Sequence, residues 1–182
     1  MKINQKGLDL IKHFEGLKLS VYDDGTGTLT IGTGHTKGVF EGMIITQEEA
    51  DELLAEDIKY FEQAVNELVT VPLTSNQFSA LVSFTFNLGR DSLRTSTLLR
   101  DLNEGRYEEV AEQLLRWNKI GKVVEPGLTR RRQAERELFL TEDEGIQPTS
   151  LKKYRERFVA VMKTHYDLVA DLITEIERLE NS

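Results

Sequence analysis

Near the N-terminus two carboxylates sit in contrasting local sequence. Glu15 follows the apolar Phe14 at the end of a helix-patterned segment, whereas Asp24 lies in the turn-forming run Asp23-Asp24-Gly25-Thr26-Gly27. Partial burial and the negative end of a helix dipole both disfavour ionisation at the first position, while water at an exposed turn keeps the second charged. A carboxylic acid that keeps its proton, set against a carboxylate, is the pair that glycosidic hydrolysis requires: one protonates the leaving oxygen, the other activates water or stabilises the cationic transition state. Acidic residues at helix ends and in turns are commonplace, so the residue types allow this chemistry without selecting it.

The elements that must hold these carboxylates follow from periodicity. Leu8, Leu10, Ile11 and Phe14 recur at roughly helical spacing behind the N-cap candidate Asn4, and the helix stops at Gly16. Residues 19–22 and 28–31 are β-prone and flank the Gly-rich turn, which predicts a small hairpin lobe. Thr46 and Glu49 form a capping box, and Ala50, Leu53, Leu54, Ile58, Phe61, Ala64, Val65 and Leu68 continue as one stripe, which predicts a long helix able to connect two lobes. Thr74 and Gln77 cap a further helix through 78–86. Helices are also predicted over 96–103, 107–117 and 129–140. Residues 141–150 have linker composition, and 151–179 return to strong periodicity as one long helix. The domain reading is therefore a domain holding both carboxylates over 1–140, a linker over 141–150 and an amphipathic helix over 151–182.

Composition narrows the function classes. The 182 residues suffice for one well-buried domain, and the absence of cysteine excludes disulfides and thiolate metal sites. A net charge of −8 argues against nucleic acid as a partner. The charge is uneven, with acidic residues concentrated over 41–67 and basic ones over 116–136. The basic stretch is either a surface for an anionic polymer or a solvated helix face. The N-terminal residues lack the apolar run of a signal peptide, and no stretch is a membrane-spanning candidate, so stable membrane insertion is not expected. The three histidines have no ligand spacing; neither a metal nor any other cofactor is expected.

The segment from Glu15 through Asp24-Gly-Thr-Gly-Thr-Leu-Thr30-Ile-Gly-Thr-Gly-His35-Thr36 resembles the active-site segment of the phage T4-type lysozyme family. Eight residues separate Glu15 from Asp24 and five separate Asp24 from Thr30, as in that family's Glu, Asp, Thr triad. The resemblance continues through Ser83-Phe-Thr-Phe-Asn-Leu-Gly89, Ser96-Thr-Leu-Leu-Arg-Asp-Leu-Asn-Glu-Gly105, Arg116-Trp-Asn118 and Pro126-Gly-Leu-Thr-Arg-Arg-Arg-Gln-Ala-Glu-Arg136, blocks typical of lambdoid-phage and prophage endolysins. It spans about residues 3–140 and leaves the last forty outside.

That resemblance implies a mostly helical α+β lysozyme-like fold, a small β-hairpin lobe and a helical lobe with the cleft between them, extended here by the C-terminal helix. It implies a muramidase that cuts the β-1,4 bond between N-acetylmuramic acid and N-acetylglucosamine in peptidoglycan. Glu15 would be the acid, and Asp24 with Thr30 would hold the attacking water. The inverting route calls for carboxyl groups roughly 6.5–9.5 Å apart. Asp23 adjoins Asp24 and competes with it for the role; the family spacing favours Asp24. His35 either bonds the sugar or braces the lobe, and Asn87 and Arg131 resemble cleft-lining or helix-anchoring positions, with Asn87 also placed to cap a helix. Trp117, Phe84 and Phe86 lie on apolar stripes and read as core.

In the C-terminal helix Lys152, Lys153, Arg155, Arg157 and Lys163 precede Asp167, Asp171, Glu175, Glu177 and Glu180. Antiparallel pairing of two copies would match opposite charges, so a homodimer through this helix is one expectation and a helix folded back on its own domain is the other. Synthesis in the host bacterial cytoplasm, holin-dependent release and action on the periplasmic cell wall complete the reading. The alternative is a catalytically weak wall-binding or regulatory protein that engages a partner through the C-terminal helix; Glu15, Asp24 and Thr30 at full spacing favour the enzyme.

Overall fold

The computed structural model describes residues 1–143 apart from 24 and 26. Asp24 and the sequence-predicted helix over 151–182 therefore lie outside the described residues. Residues 1–142 form one compact unit.

Helix α1 (Gln5–Glu15) begins where Asn4 Oδ1 accepts the Gly7 amide at 3.0 Å, and it ends at Gly16, whose φ of 75° lies in the left-handed region that a side chain disfavours. This fixes Glu15 as the last helical residue. Strands β1 (Lys18–Asp23) and β2 (Leu29–Gly32) pair antiparallel, with Tyr22 opposite Thr30 and a register irregularity between Lys18 and Tyr22. The segment after them returns along β1, with Val21 and Ile45 amides bonded to the Met43 and Leu19 carbonyls.

Helix α2 (Gln47–Leu68) opens on the predicted capping box at Thr46 and Glu49. Its first turn contributes Ala50 to a small core with Ile31 and Ile45, and further along Leu54, Ile58 and Val65 enter the large core of the helical lobe. One helix thus belongs to both cores, as its unbroken apolar stripe implied.

Helix α3 (Ser75–Leu88), capped by Thr74, is buried on nearly every face and packs against α1 and α2. Gly7 makes the α1–α3 approach possible: a Cβ there would lie 2.7 Å from that of Ser79. Around α3 stand α4 (Arg90–Arg94), α5 (Thr97–Asn103), α6 (Tyr107–Leu114) and α7 (Pro126–Leu140).

Four local features depart from the periodicity. α4 is a single short segment after Gly89, too brief to leave a pattern. α6 ends at Leu114 rather than at Trp117, because the Arg116 and Trp117 amides bond three residues back, to Gln113 and Leu114. Strands β3 (Lys119–Ile120) and β4 (Val123–Val124) then form a minimal hairpin. α7 starts at Pro126 rather than at Thr129, since Pro suits the first helical turn and the Glu125 side chain caps the Leu128 amide. No helix among the described residues is long and apolar enough to cross a membrane.

Candidate active site

Glu15 projects from the end of α1 at the shared wall of two recesses. The first, of ≈430 Å³, is bounded by the loop after β2 through Gly34, Thr36 and Lys37, by Asp57, Tyr60 and Phe61 of α2, and by Phe86 and Asn87 of α3. The second, of ≈420 Å³, lies between the end of α1 and the start of α7, with His13, Phe14, Glu125, Arg130 and Arg131 on its walls. Glu15 and Asn87 line both. This is the geometry of a groove with one acidic side chain and one amide at its middle.

The Glu15 side chain is 25% exposed, and its Oε1 accepts Nη1 of Arg131 at 2.6 Å. Arg131 is itself buried, with its guanidinium 5.7 Å from the Phe14 ring centre. Its Nε donates to Glu135 Oε1 at 3.2 Å, and Nη2 reaches the Ser83 carbonyl. Arg132, fully buried and stacked over Phe84, donates from Nη2 to Asn87 Oδ1 at 2.8 Å and to Glu135 Oε1 at 3.2 Å. Glu135 takes a further bond from the Ser83 hydroxyl at 2.8 Å. Burial pushes the Glu135 carboxyl above its ordinary pKa, opposed by the two arginines, and burial likewise lowers Arg132. At the rim the Gly127 and Leu128 amides hold Glu125 below the usual carboxylate range.

The hairpin and the loop after it, whose Gly34, Thr36 and Lys37 line the first recess, are built differently. Asp23 Oδ1 accepts the amides of Gly25 and Gly27 at 2.8 and 3.0 Å, so this oxygen is committed to the backbone that follows β1. Thr30 is buried in β2 and its hydroxyl donates to the Thr28 carbonyl. His35 is also buried; Nδ1 lies 2.8 Å from Asp57 Oδ2 and Nε2 lies 2.7 Å from the Lys37 carbonyl. A carbonyl only accepts, so Nε2 is a donor, and both ring nitrogens are occupied within the protein.

The model of the family described as phage lysozyme matches residues 12–135, more than half of the chain. The chain belongs to the phage lysozyme family. An endolysin of Acyrthosiphon pisum secondary endosymbiont phage 1 is 45% identical over 143 residues, covering 76% of this chain and 98% of that protein. The endolysin of Bacillus phage B103 is 38% identical over 182 residues, covering 98% of this chain and 68% of its own length, so its alignment extends beyond the compact unit into the C-terminal stretch. Among solved structures, the muramidase domain of SpmX from Asticaccaulis excentricus superposes with a TM-score of 0.74 at 44% identity, covering 78% of this chain and 99% of that one. The phage lysozyme fold thus accounts for the mostly helical α+β architecture, and the protein is a lysozyme-type hydrolase.

Set against the sequence reading, the phage lysozyme fold brings Glu15, Asn87 and Arg131 together at one point of the groove. Thr30 and His35 lie behind the groove surface, the latter touching it through Asp57 and Lys37. Phe86, read as core, packs against the core and also reaches the groove beside Phe61, at 5.0 Å between ring centres, and Trp117 and Phe84 pack edge-to-face as core residues. Arg132 and Glu135 escaped notice, although an Arg-Arg-x-x-Glu run inside a helix places both arginines within one turn of the carboxylate.

Proposed function

We propose that this protein is a muramidase that hydrolyses the β-1,4 bond between N-acetylmuramic acid and N-acetylglucosamine in peptidoglycan, with inversion, and so lyses the bacterial wall. Glu15 donates its proton to the leaving oxygen. Asp24, carried on the β1–β2 turn, removes a proton from a water that Thr30 helps to hold on the other face of the sugar. The observation that carries this reading is the place of Glu15 at the common wall of two recesses, where a strand laid along the groove presents one linkage to it. The commitment of Asp23 Oδ1 to the turn amides supports Asp24 as the base. Asn87 lines both recesses with Oδ1 already bonded to Arg132, which leaves its NH2 group to donate to the glycan. Arg131 holds Glu15, and His35 braces the loop and α2 that form the first recess.

The test is turbidity loss of permeabilised Gram-negative cells, followed by analysis of the sugar ends released. The parent is expected to release reducing muramic acid ends and Glu15→Gln to release none. Lysis without such ends, or ends of another kind, would replace the muramidase reading with another wall-cleaving activity. A catalytic domain over 1–140 with a separate helical extension, cytoplasmic synthesis, holin-dependent release to the cell wall and pairing of two chains through residues 151–182 belong to the same proposal. Light scattering checks the last, with twice the monomer mass expected.

A further inference from the structure

A carboxylate with no exposure to solvent is costly: even after relaxation its desolvation amounts to about several kcal/mol, and apolar residues of similar volume commonly fill such a site at no loss of stability. Glu135 is nonetheless there, with Arg132 equally buried and Arg131 nearly so. The directions of its contacts explain what the cluster does. On its near side Glu135 Oε1 gathers Arg131 Nε, Arg132 Nη2 and the Ser83 hydroxyl, while Oε2 faces Arg132 Nε at 2.9 Å. On the far side the two guanidinium groups diverge, Arg131 to Glu15 and Arg132 to Asn87. Glu15 and Asn87 are the two side chains common to both recesses.

We infer that Glu135 is a positioning residue for this reaction, one buried carboxylate that sets two arginines at once and through them fixes the acid and the substrate-facing amide relative to each other. The inference rests on the muramidase reading in taking Glu15 and Asn87 as the groups that meet the glycan. Because Nε of Arg131 is spent on Glu135, Arg131 meets Glu15 through Nη1 alone instead of clasping it as a two-pronged fork. Because Arg132 donates to Oδ1 of Asn87, the amide cannot flip without losing a charge-assisted bond, and its NH2 stays the donor. The arrangement selects a substrate with an acceptor oxygen, such as an acetamido carbonyl, opposite Asn87 and next to the bond being cut.

The test is a double-mutant cycle on the full chain with a glycan substrate, read as kcat and KM, together with NMR signals of the Asn87 carboxamide. Arg132→Lys keeps a cation beside Glu135, but a single ammonium lacks the fork that serves Glu135 and Asn87 together. It is expected to raise KM about tenfold, the worth of one hydrogen bond to a charged group, and to shift the Asn87 carboxamide signals. In an Asn87→Ala background the same change should cost less than about twofold, since coupled residues are non-additive. Glu135→Gln is expected to lower kcat as well, because it loosens Arg131 behind Glu15; should that variant not fold, Ser83→Ala, which deletes one bond to the same oxygen, is expected to move kcat in the same direction by less.

Equal costs of Arg132→Lys in both backgrounds, with unmoved Asn87 signals, would overturn the proposal. So would kcat and KM unchanged in Glu135→Gln or Ser83→Ala while only the melting temperature falls. The NMR readout needs no turnover: a parent that releases no muramic ends sinks the muramidase reading, whereas failure of the positioning role leaves the Asn87 signals unmoved by Arg132→Lys.

Discussion

The helical wall of the groove and the hairpin whose following loop lines it hold their functional groups by opposite means. On the helical wall, Glu15 is tied into a desolvated network of Arg131, Arg132 and Glu135 set on α7 and anchored to α3 through Ser83. On the hairpin side, the exposed Asp23 carboxylate takes the Gly25 and Gly27 amides, over a core whose buried members are Ile31, Ile45 and Ala50. The difference matches the two jobs in the proposed reaction. An acid must keep its position while its charge changes, which a dry, hydrogen-bonded surround provides; a base that handles water needs solvent at hand.

The largest effect expected is on the helical wall. Glu15→Gln removes the proton donor and should lower glycan cleavage by about 10³-fold, within the range for general acid catalysis, with folding intact by circular dichroism. Next, Arg132→Met leaves Glu135 buried without its closest cation and should cost about 3–5 kcal/mol in urea unfolding. A smaller loss would mean that the network is less dry than its burial indicates. Core truncations sharpen the comparison between lobes. Leu98→Ala in the large core should cost about 4 kcal/mol and Ile31→Ala in the small one about 2 kcal/mol, since a thin core collapses more readily onto the lost volume. The smallest stability change, about 1 kcal/mol or less, is expected for the exposed Asp23→Ala, yet its lytic rate should fall severalfold because the backbone that follows β1 loses both amide bonds. Parity of the rate and stability losses would remove the distinction between the helical wall and the hairpin.

The same asymmetry governs how much was legible in the sequence. The starts of α1, α2, α3 and α5 were, because Asn4, Thr46, Thr74 and Ser96 cap through local bonds that a few residues specify. The hairpin was legible from its Gly-rich turn. So was the long span of α2, whose stripe serves two cores in succession. Short pieces such as α4 and the β3–β4 pair carry too few residues for a period to register.

Within the site, Glu15, Asp24 and Thr30 stood out by spacing against a known family, a signal that composition alone does not contain. The basic run over 116–136 misled in a specific way. As a charge pattern it suggested a surface, whereas Arg131 and Arg132 turn inward because α7 lays them against Glu135 and α3, and Arg136 pairs with Glu112. Burial of a charge depends on partners far away in sequence, here Ser83, Asn87 and Glu15, and no local window reports them. Phe86 packs against the core as its apolar stripe implies, and it also reaches the groove, which a stripe by itself does not report.

The most direct test of the helical wall and the hairpin acting on one bond is the stereochemistry of the cut. Proton NMR of the first turnovers on a soluble peptidoglycan glycan is expected to show the new muramic acid end appearing as the α anomer, because water delivered from the hairpin side attacks opposite the oxygen protonated by Glu15. Initial release of the β anomer would contradict this, since it requires a covalent intermediate and carboxyl groups too close together to admit that water.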